Sequence, residues 1–392
     1  MKKRTLLPLI MALILFLCSV YWANPNVSAT KNNVPGSTIE SIPTESLPDQ
    51  SHGSEDPPSD EEQTEHHDIP VGSTFEVHFI DVGQGDCSLI LCDGKAMIID
   101  GGEASESSKV YVYLKAHGID HLEYLVATHA HSDHIGGLSG ALNYATVEKA
   151  LCPVTQYDSK TFQSLLKYLG NQGIEITTPI AGDSFMLGSA SVQILGPQKP
   201  YDNANDTSIV LKVTYGQTSF LFTGDAERTA EADILNAGFD LSSTVLKVGH
   251  HGSESSTSYP FLRAIMPQYA VIQVGKGNSY GHPTEATLSR LRDADVQVYR
   301  TDLQGTVVCT SDGRTVSFST EKNEDIQTNP TAPTTSVPAN VSASGAYIGN
   351  TNSKKYHLPS CKNLPAEKNR VQLHSREEAL EKGYSPCGNC KP

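Results

Sequence analysis

Long apolar runs are scarce in this chain of 392 residues. The uncharged stretch Leu6 to Leu17 falls short of the ~20 residues that a membrane-spanning helix needs, which argues against a polytopic membrane protein. Basic residues are also few: 29 Lys and Arg stand against 44 Asp and Glu, a formal charge of −15. Residues 71–320 sum to −11 and residues 30–70 to −9, while residues 346–392 sum to +4. So acidic a central segment is a poor partner, alone, for a phosphate backbone. Histidine is missing from Ile135 to Gly249, although the chain has 14. Cysteine is missing around the histidine-rich stretch 129–134, so a metal held there meets nitrogen and oxygen rather than sulfur.

The amino terminus reads as an export signal. Lys2-Lys3-Arg4 precedes the uncharged run, and Val27-Ser28-Ala29 supplies a small-residue cleavage pattern. Residues 1–29 are therefore a signal peptide or, uncleaved and extended to Trp22, an N-terminal anchor. Either route puts the chain outside, secreted or anchored at the outer face of the membrane. Residues 30–70 are rich in Pro, Ser and Glu and read as a disordered acidic linker. A second linker, 321–345, carries Pro330, Pro333 and Pro338 and separates residues 71–320 from a small module, 346–392.

Four segments end a strand-like apolar run with a metal-binding side chain. Leu122 to Ala127 leads to Thr128-His129-Ala130-His131-Ser132-Asp133-His134. Histidines at i and i+2 point the same way from extended backbone, and Asp133 and His134 follow from the turn. Ser219 to Thr223 leads to Gly224-Asp225, Thr244 to Val248 leads to Gly249-His250-His251-Gly252-Ser253, and Ala270 to Val274 leads to His282. Ligands gather at the carboxyl ends of strands in α/β sheets. Imidazole and carboxylate suit Zn, Mn or Fe, and an incompletely filled site leaves room for a nucleophilic water. The pattern reads as a metal-dependent hydrolase.

Around these motifs, strand runs alternate with amphipathic helices, which predicts a layered α/β fold. Helices are expected over Lys109–His117, Thr161–Leu169 (with Ser159 as its cap), Ala226–Asn236, Tyr259–Ile265 and Glu285–Ala294. A strand is expected over Ser208–Val213, and the tail to Phe318 reads as β.

The His-x-His-x-Asp-His cluster, Thr223-Gly224-Asp225 and the later histidines resemble the metallo-β-lactamase superfamily. Phe79 to Asp86, Ile98 to Gly102, Leu246 to Ser253 and Tyr280 to Pro283 resemble the extracellular hydrolase domain of ComEC-type competence proteins, which are DNA-uptake channels. The resemblance implies an αββα sandwich with two divalent metals, Zn or Mn, along one edge. His129, His131 and Asp225 would hold the first metal, with Asn205 or Asp206 in attendance where many relatives have another histidine. Asp133, His134, Asp225 and His282 would hold the second. His250 or His251 would protonate the leaving oxygen or contact phosphate, and Asp100 would orient a ligand imidazole. The channel's large membrane domain is absent from the sequence, which looks like a secreted relative.

The module 346–392 is too small to be stable by core burial alone. His357-x-x-x-Cys361 and Cys387-x-x-Cys390 offer three thiolates and one imidazole, the donor set of a closed tetrahedral zinc site. A disulfide among the three cysteines is the competing reading for an exported chain. Ser375-Arg376-Glu377-Glu378 has the form of a capping box opening a short helix. The arrangement resembles the zinc-binding domain of bacterial methyl-phosphate DNA repair proteins, with His357 where that module has a cysteine. A basic tether for DNA is the role this implies.

The function expected is a secreted phosphodiesterase or nuclease acting on DNA or its fragments through a metal-bound hydroxide. A hydrolase of a small ester, lactone or β-lactam, and a non-catalytic surface DNA-binding protein, are the alternatives.

Overall fold

Alternation along Phe75–Phe79 (β1) turns Phe75, Val77 and Phe79 inward, each 2% exposed or less, and sets His78 on the other face against the Tyr113 hydroxyl. A pleated strand with both faces covered needs this pattern, and the rest of the fold repeats it. The computed structural model describes residues 69–328 and 347–392, apart from 363, 375, 388, 389, 391 and 392. The signal segment 1–29, nearly all of the acidic linker, most of 321–345 and the capping Ser375 lie outside the described residues.

After β1 come Ser88–Cys92 (β2), Lys95–Ile99 (β3), His121–Val126 (β4), Thr146–Leu151 (β5) and Ile176–Thr177 (β6). Ser184–Leu187 (β7), Ala190–Gly196 (β8), Val210–Tyr215 (β9) and Thr218–Phe222 (β10) follow. Val245–Lys247 (β11), Tyr269–Ile272 (β12), Gln297–Arg300 (β13), Val307–Ser311 (β14) and Val316–Thr320 (β15) complete two sheets. The first has the order β15-β14-β1-β2-β3-β4-β5-β6 and the second β13-β12-β11-β10-β9-β8-β7. In each, a parallel block forms the part that matters for function: β3, β4 and β5 in one, β10 to β13 in the other.

Eight helices accompany the sheets among the described residues: Ser107–Ala116 (α1), Ser132–Ile135 (α2), Leu138–Tyr144 (α3), Lys160–Asn171 (α4), Arg228–Ala237 (α5), Tyr259–Ile265 (α6), Glu285–Asp293 (α7) and Thr301–Gln304 (α8). Three apolar layers hold the stack together. Phe79, Ile90 and Met97 meet Val213, Phe220 and Phe222 between the sheets. Leu89, Ile98 and Leu125 meet Val110 and Leu114 of α1 and Phe162 of α4 outside the first sheet. Leu221, Leu246 and Ala270 meet Ile234, Phe261 and Leu291 of α5, α6 and α7 outside the second. Each such side chain contributes roughly 1.5–3 kcal/mol by leaving water. The result is the expected αββα sandwich.

Local details follow the sequence with a few shifts. The Ser159 hydroxyl accepts from Phe162 N at 3.1 Å and caps α4, whose buried face is Phe162, Leu165 and Leu169. Gly238, left-handed at φ 76, ends α5. The strand expected from Ser208 begins instead at Val210, because Asn205–Thr207 forms a 3-10 turn. Strand β5 escapes prediction because its buried residues Val147, Ala150 and Leu151 are spaced like those of a helix. Cys87, Cys92, Cys152 and Cys309 are buried free thiols.

The C-terminal module is a four-stranded sheet, order β18-β16-β17-β19, of Tyr347–Asn350 (β16), Lys355–His357 (β17), Arg370–Leu373 (β18) and Ser385–Pro386 (β19), with one helix, Arg376–Glu381 (α9). Its buried core is Tyr356, Leu373, Ala379 and Tyr384. Four side chains do not offset the ordering of so many residues, so the module needs a further cross-link. No helix among the described residues is long and apolar enough to cross a membrane.

Candidate metal centre

The parallel strands deliver the polar residues to one edge. β3 runs into Asp100, β4 into Thr128 to His134, β10 into Asp225, β11 into His250 and His251, and the chain after β12 reaches His282. Ligand atoms of Asp133, His134, Asp225 and His251 all lie within 4.8 Å of one another. His134 Nε2 is 3.3 Å from Asp225 Oδ1, and His251 Nε2 is 3.2 Å from Asp133 Oδ2 and 3.6 Å from Asp225 Oδ2. His129 Nε2 lies 3.9 Å from the same Oδ2 and 3.0 Å from His131 Nδ1. One carboxylate thus faces the imidazoles of His129, His134, His250 and His251.

Two features of the backbone aim these rings. Asp100 takes the left-handed conformation at φ 58 and is fully buried. Its carboxylate accepts from Thr128 N at 2.8 Å, Thr128 Oγ1 at 2.6 Å and His134 Nδ1 at 2.8 Å, which fixes the His134 ring with Nε2 toward Asp225. His250 and His251 are both left-handed, at φ 50 and φ 53, between Gly249 and Gly252. Two such non-glycine residues in succession cost about 1–2 kcal/mol each, a strain found where function requires a particular aim.

The donor chemistry fits a metal. His134 Nε2 and Asp225 Oδ1 are buried, face each other and have no hydrogen-bond partner. Asp86, Asp100 and Asp225 are at most 3% exposed, whereas among the described residues the buried Lys or Arg beside them is Lys247, at 2%. An excess of buried negative charge requires a counter-cation. Burial works against a charged His251, yet the Asp225 and Asp86 carboxylates outweigh it and push its pKa up to about 10. His134 is raised in the same way, against its burial, by Asp225 and Asp100. Burial and the neighbouring His134 push His129 well down. Protons therefore sit where a divalent cation would compete for the same nitrogens.

The sequence-predicted residues take up distinct places. His251, assigned to proton transfer or phosphate contact, lies inside the Asp133, His134 and Asp225 group. His282, assigned to the second metal, stands further out, its ring 6.5 Å from that of His251 and 5.6 Å from that of His250. Burial, with help from His250, lowers its pKa to about 4. His250 Nε2 lies 3.5 Å from Asp225 Oδ2, and its Nδ1 3.4 Å from Glu227 Oε1. Asp206 is turned away to α5, where Oδ1 accepts from Glu227 N at 3.0 Å and Ala230 N at 3.3 Å. Asn205 lines a cavity of about 330 Å³ with His131, Asp133, His250, Tyr280 and His282.

Three contributors escape sequence reasoning: Asp86, Lys247 and Glu227. Asp86 Oδ1 is 3.1 Å from His251 Nδ1, and its other oxygen pairs with Lys247 Nζ. The one available signal is a lysine in the otherwise apolar run Val245 to Val248.

In the module, donor atoms of His357, Cys361, Cys387 and Cys390 also lie within 4.8 Å of one another, with His357 Nδ1 3.4 Å from Cys361 Sγ. All three cysteines carry reduced thiols in this arrangement, as a zinc site requires.

A sandwich with a His/Asp metal site at the carboxyl ends of its strands defines a metal-dependent hydrolase fold. Residues 80–276, half of the chain, match the metallo-beta-lactamase superfamily, and the chain belongs to that superfamily. It is related to competence proteins. It is 32% identical over 268 residues to ComE operon protein 3 of Bacillus subtilis, spanning 64% of this chain and 34% of that protein. With competence protein ComA of Neisseria gonorrhoeae it shares 32% identity over 237 residues, 57% of this chain and 30% of the other. The chain thus spans about a third of the length of these relatives. Residues 339–392 match the metal-binding domain of Ada. Among solved structures, the metallo-beta-lactamase fold protein YhfI from Bacillus subtilis aligns at 12% identity and a TM-score of 0.43, over 60% of this chain and 100% of that one.

Proposed function

We propose that this chain is an exported, metal-dependent phosphodiesterase acting on DNA or its fragments. The observation that carries the reading is the convergence of Asp133, His134, Asp225 and His251 beneath a cavity rimmed by His250 and His282. In this reading His129, His131 and Asp225 hold one divalent metal, Zn or Mn, and Asp133, His134, Asp225 and His251 hold a second. Bound there, such metals supply a water acidic enough to react at neutral pH and charge to offset that of a phosphodiester.

The chain's own groups do the rest. Asp100 locks the His134 ring through Nδ1, and the Gln273 carbonyl accepts from His251 Nδ1 with Asp86 close beside it, leaving each Nε2 for the centre. His282 and His250 face the cavity, where their N–H groups donate to a phosphate oxygen or to the leaving oxygen. Glu227 steadies His250 from behind. DNA as the substrate rests on the likeness to competence proteins, and the zinc module 346–392 would tether it.

One observation favours a smaller substrate. A cavity of about 330 Å³ on a segment of charge −11 suits a single nucleotide, ester or lactone as well as a polymer. The test is the full chain supplied with Zn or Mn and assayed on bis(p-nitrophenyl) phosphate, single-stranded DNA, a lactone and a β-lactam. Phosphodiester and DNA hydrolysis, lost in Asp225→Ala, is the expected result. Turnover of the lactone or β-lactam alone would overturn it.

A further inference from the structure

A second cavity, about 910 Å³, lies away from the metal centre, between α5, α6, α7 and helix α9 of the C-terminal module. We propose that this groove binds the phosphate backbone of a nucleic-acid strand, a proposal that rests on the nucleic-acid reading above. Its lining contains Arg228, Arg263, Arg290 and Arg376 and a single carboxylate, Asp293. Asp293 already accepts the Tyr259 hydroxyl at 2.6 Å. Three of these guanidinium groups belong to a segment of charge −11 and the fourth to the module, so the cleft is a local reversal of sign.

Three of the four arginines are held in place by contacts. Arg290 is 6% exposed and donates through one nitrogen to Ser256 O at 2.8 Å and Thr287 Oγ1 at 2.9 Å, while its Nε has no hydrogen-bond partner. Arg228 donates to Glu254 O at 2.7 Å. Arg376 reaches over from the module and lies 5.6 Å from the centre of the Tyr259 ring. Arg263 is exposed on the groove wall. Burial lowers the Arg290 pKa, and the charges of Arg228 and Arg376 lower it further against the opposing Glu231 carboxylate, so these cations are close enough to repel one another. Like charges held together by the fold are stabilised by an anion that spans them.

The position explains why a strand would use it. Arg228 directly follows Glu227, whose carboxylate touches His250. Loop 253–256 lies between the two sites: Ser255 Oγ approaches His250 Nδ1 at 3.3 Å, while Glu254 O and Ser256 O accept from the arginines. A chain of phosphates anchored in the groove is therefore led to the metal centre. Carboxylates share this chemistry, and the acidic segment 30–70 of this same protein, of charge −9, is the rival occupant.

The test uses the full chain and the double variant Arg263→Glu/Arg376→Glu, with Arg263→Glu alone as the milder change and Arg263→Lys as its rescue. Neither residue belongs to the metal centre. For a single-stranded oligonucleotide the double variant is expected to raise Kd and KM roughly tenfold or more. It should also flatten the salt dependence of binding by about 0.7 in log–log slope for each phosphate that the groove no longer neutralises. Turnover of bis(p-nitrophenyl) phosphate stays as in wild type, and Arg263→Lys restores oligonucleotide binding. Unchanged Kd and salt slope would overturn the groove assignment. So would loss of binding to a synthetic 30–70 peptide with DNA binding intact. No hydrolysis of the small phosphodiester by wild type would instead defeat the proposed activity and leave the binding result standing.

Discussion

Lys247 and Asp86 form an ion pair beneath the metal centre, with 2% and 5% of their side chains exposed. The same Asp86 carboxylate lies 3.1 Å from His251 Nδ1, which is held by the Gln273 carbonyl, so one group neutralises a lysine and favours the charged form of a ring. Removing one partner of a buried pair strands the other charge. Lys247→Met is expected to cost about 3–5 kcal/mol, read as a lower denaturant midpoint of the metal-free protein. Asp86→Asn/Lys247→Met should recover part of that loss. Wild-type stability in the single variant would show that the pair is not needed by the fold.

His251 and His282 should separate metal binding from turnover. Because His251 Nε2 lies among the Asp133 and Asp225 oxygens, His251→Ala is expected to lower metal content. His282→Ala should keep the metal and lower kcat by roughly 100-fold or more, as loss of a hydrogen-bond donor to developing charge does. Metal analysis of the two purified variants, beside their kcat values, decides the matter. Metal lost from His282→Ala but kept in His251→Ala would reverse the two roles.

Asp93 offers a test of pH dependence far from the site. Its carboxylate accepts from Ser73 Oγ at 2.6 Å, Ser189 N at 2.9 Å and Thr74 N at 3.0 Å. What burial it has opposes the charge, but the hydrogen bonds from Ser189 and Ser73 outweigh it and hold the pKa below the usual carboxylate range. A depressed folded pKa gives stability that is present above the unfolded value and is lost as pH falls through the folded one. Asp93→Asn should therefore be less stable than wild type at neutral pH, with the gap narrowing in acid. Unfolding midpoints of both proteins across that range check it, and a gap that widens in acid would contradict the sign.

The module should bind one zinc independently of the catalytic edge. Cys387→Ser is expected to remove one equivalent of zinc from the full chain and to unfold the module, because structural zinc supplies ~10–16 kcal/mol at neutral pH in small domains. His357→Ala should weaken the site less, since it keeps all three thiols. Zinc content and module-specific proteolysis read both effects. A module that stays folded without zinc and unfolds with reductant would show a disulfide in its place.

What could be read in advance followed from local rules. Histidines at 129 and 131 after an apolar run announce a shared direction, and a Gly-Asp step after Phe222 announces a strand end. The layered fold follows from interleaved periods of two and 3.6, which β5 breaks by spacing its buried residues as a helix does. Non-local choices were not legible. Nothing in Gly249-His250-His251-Gly252 says which ring turns inward, because both residues adopt a left-handed backbone that no strand or helix rule covers. Asp86 and Lys247 are 161 positions apart, and no periodicity marks a charge pair made only when two sheets meet. Asp206 has the chemistry of a metal donor, but α5 claims its oxygen as a cap.

The donors at the catalytic edge come from both sheets: His129, His131, Asp133 and His134 after β4 of one, Asp225 and His251 after β10 and β11 of the other. A cation they share is therefore a rivet through the seam of the sandwich as well as a reagent. Chelation should loosen that seam from its open edge inward, so that amide exchange quickens first at Gly224 to Ala226 and Gly249 to Gly252 while the Phe79 and Phe222 interior stays protected. For such a protein metal supply sets the rigidity of that edge, and starvation for metal would be sensed as susceptibility to proteases there as well as lost turnover.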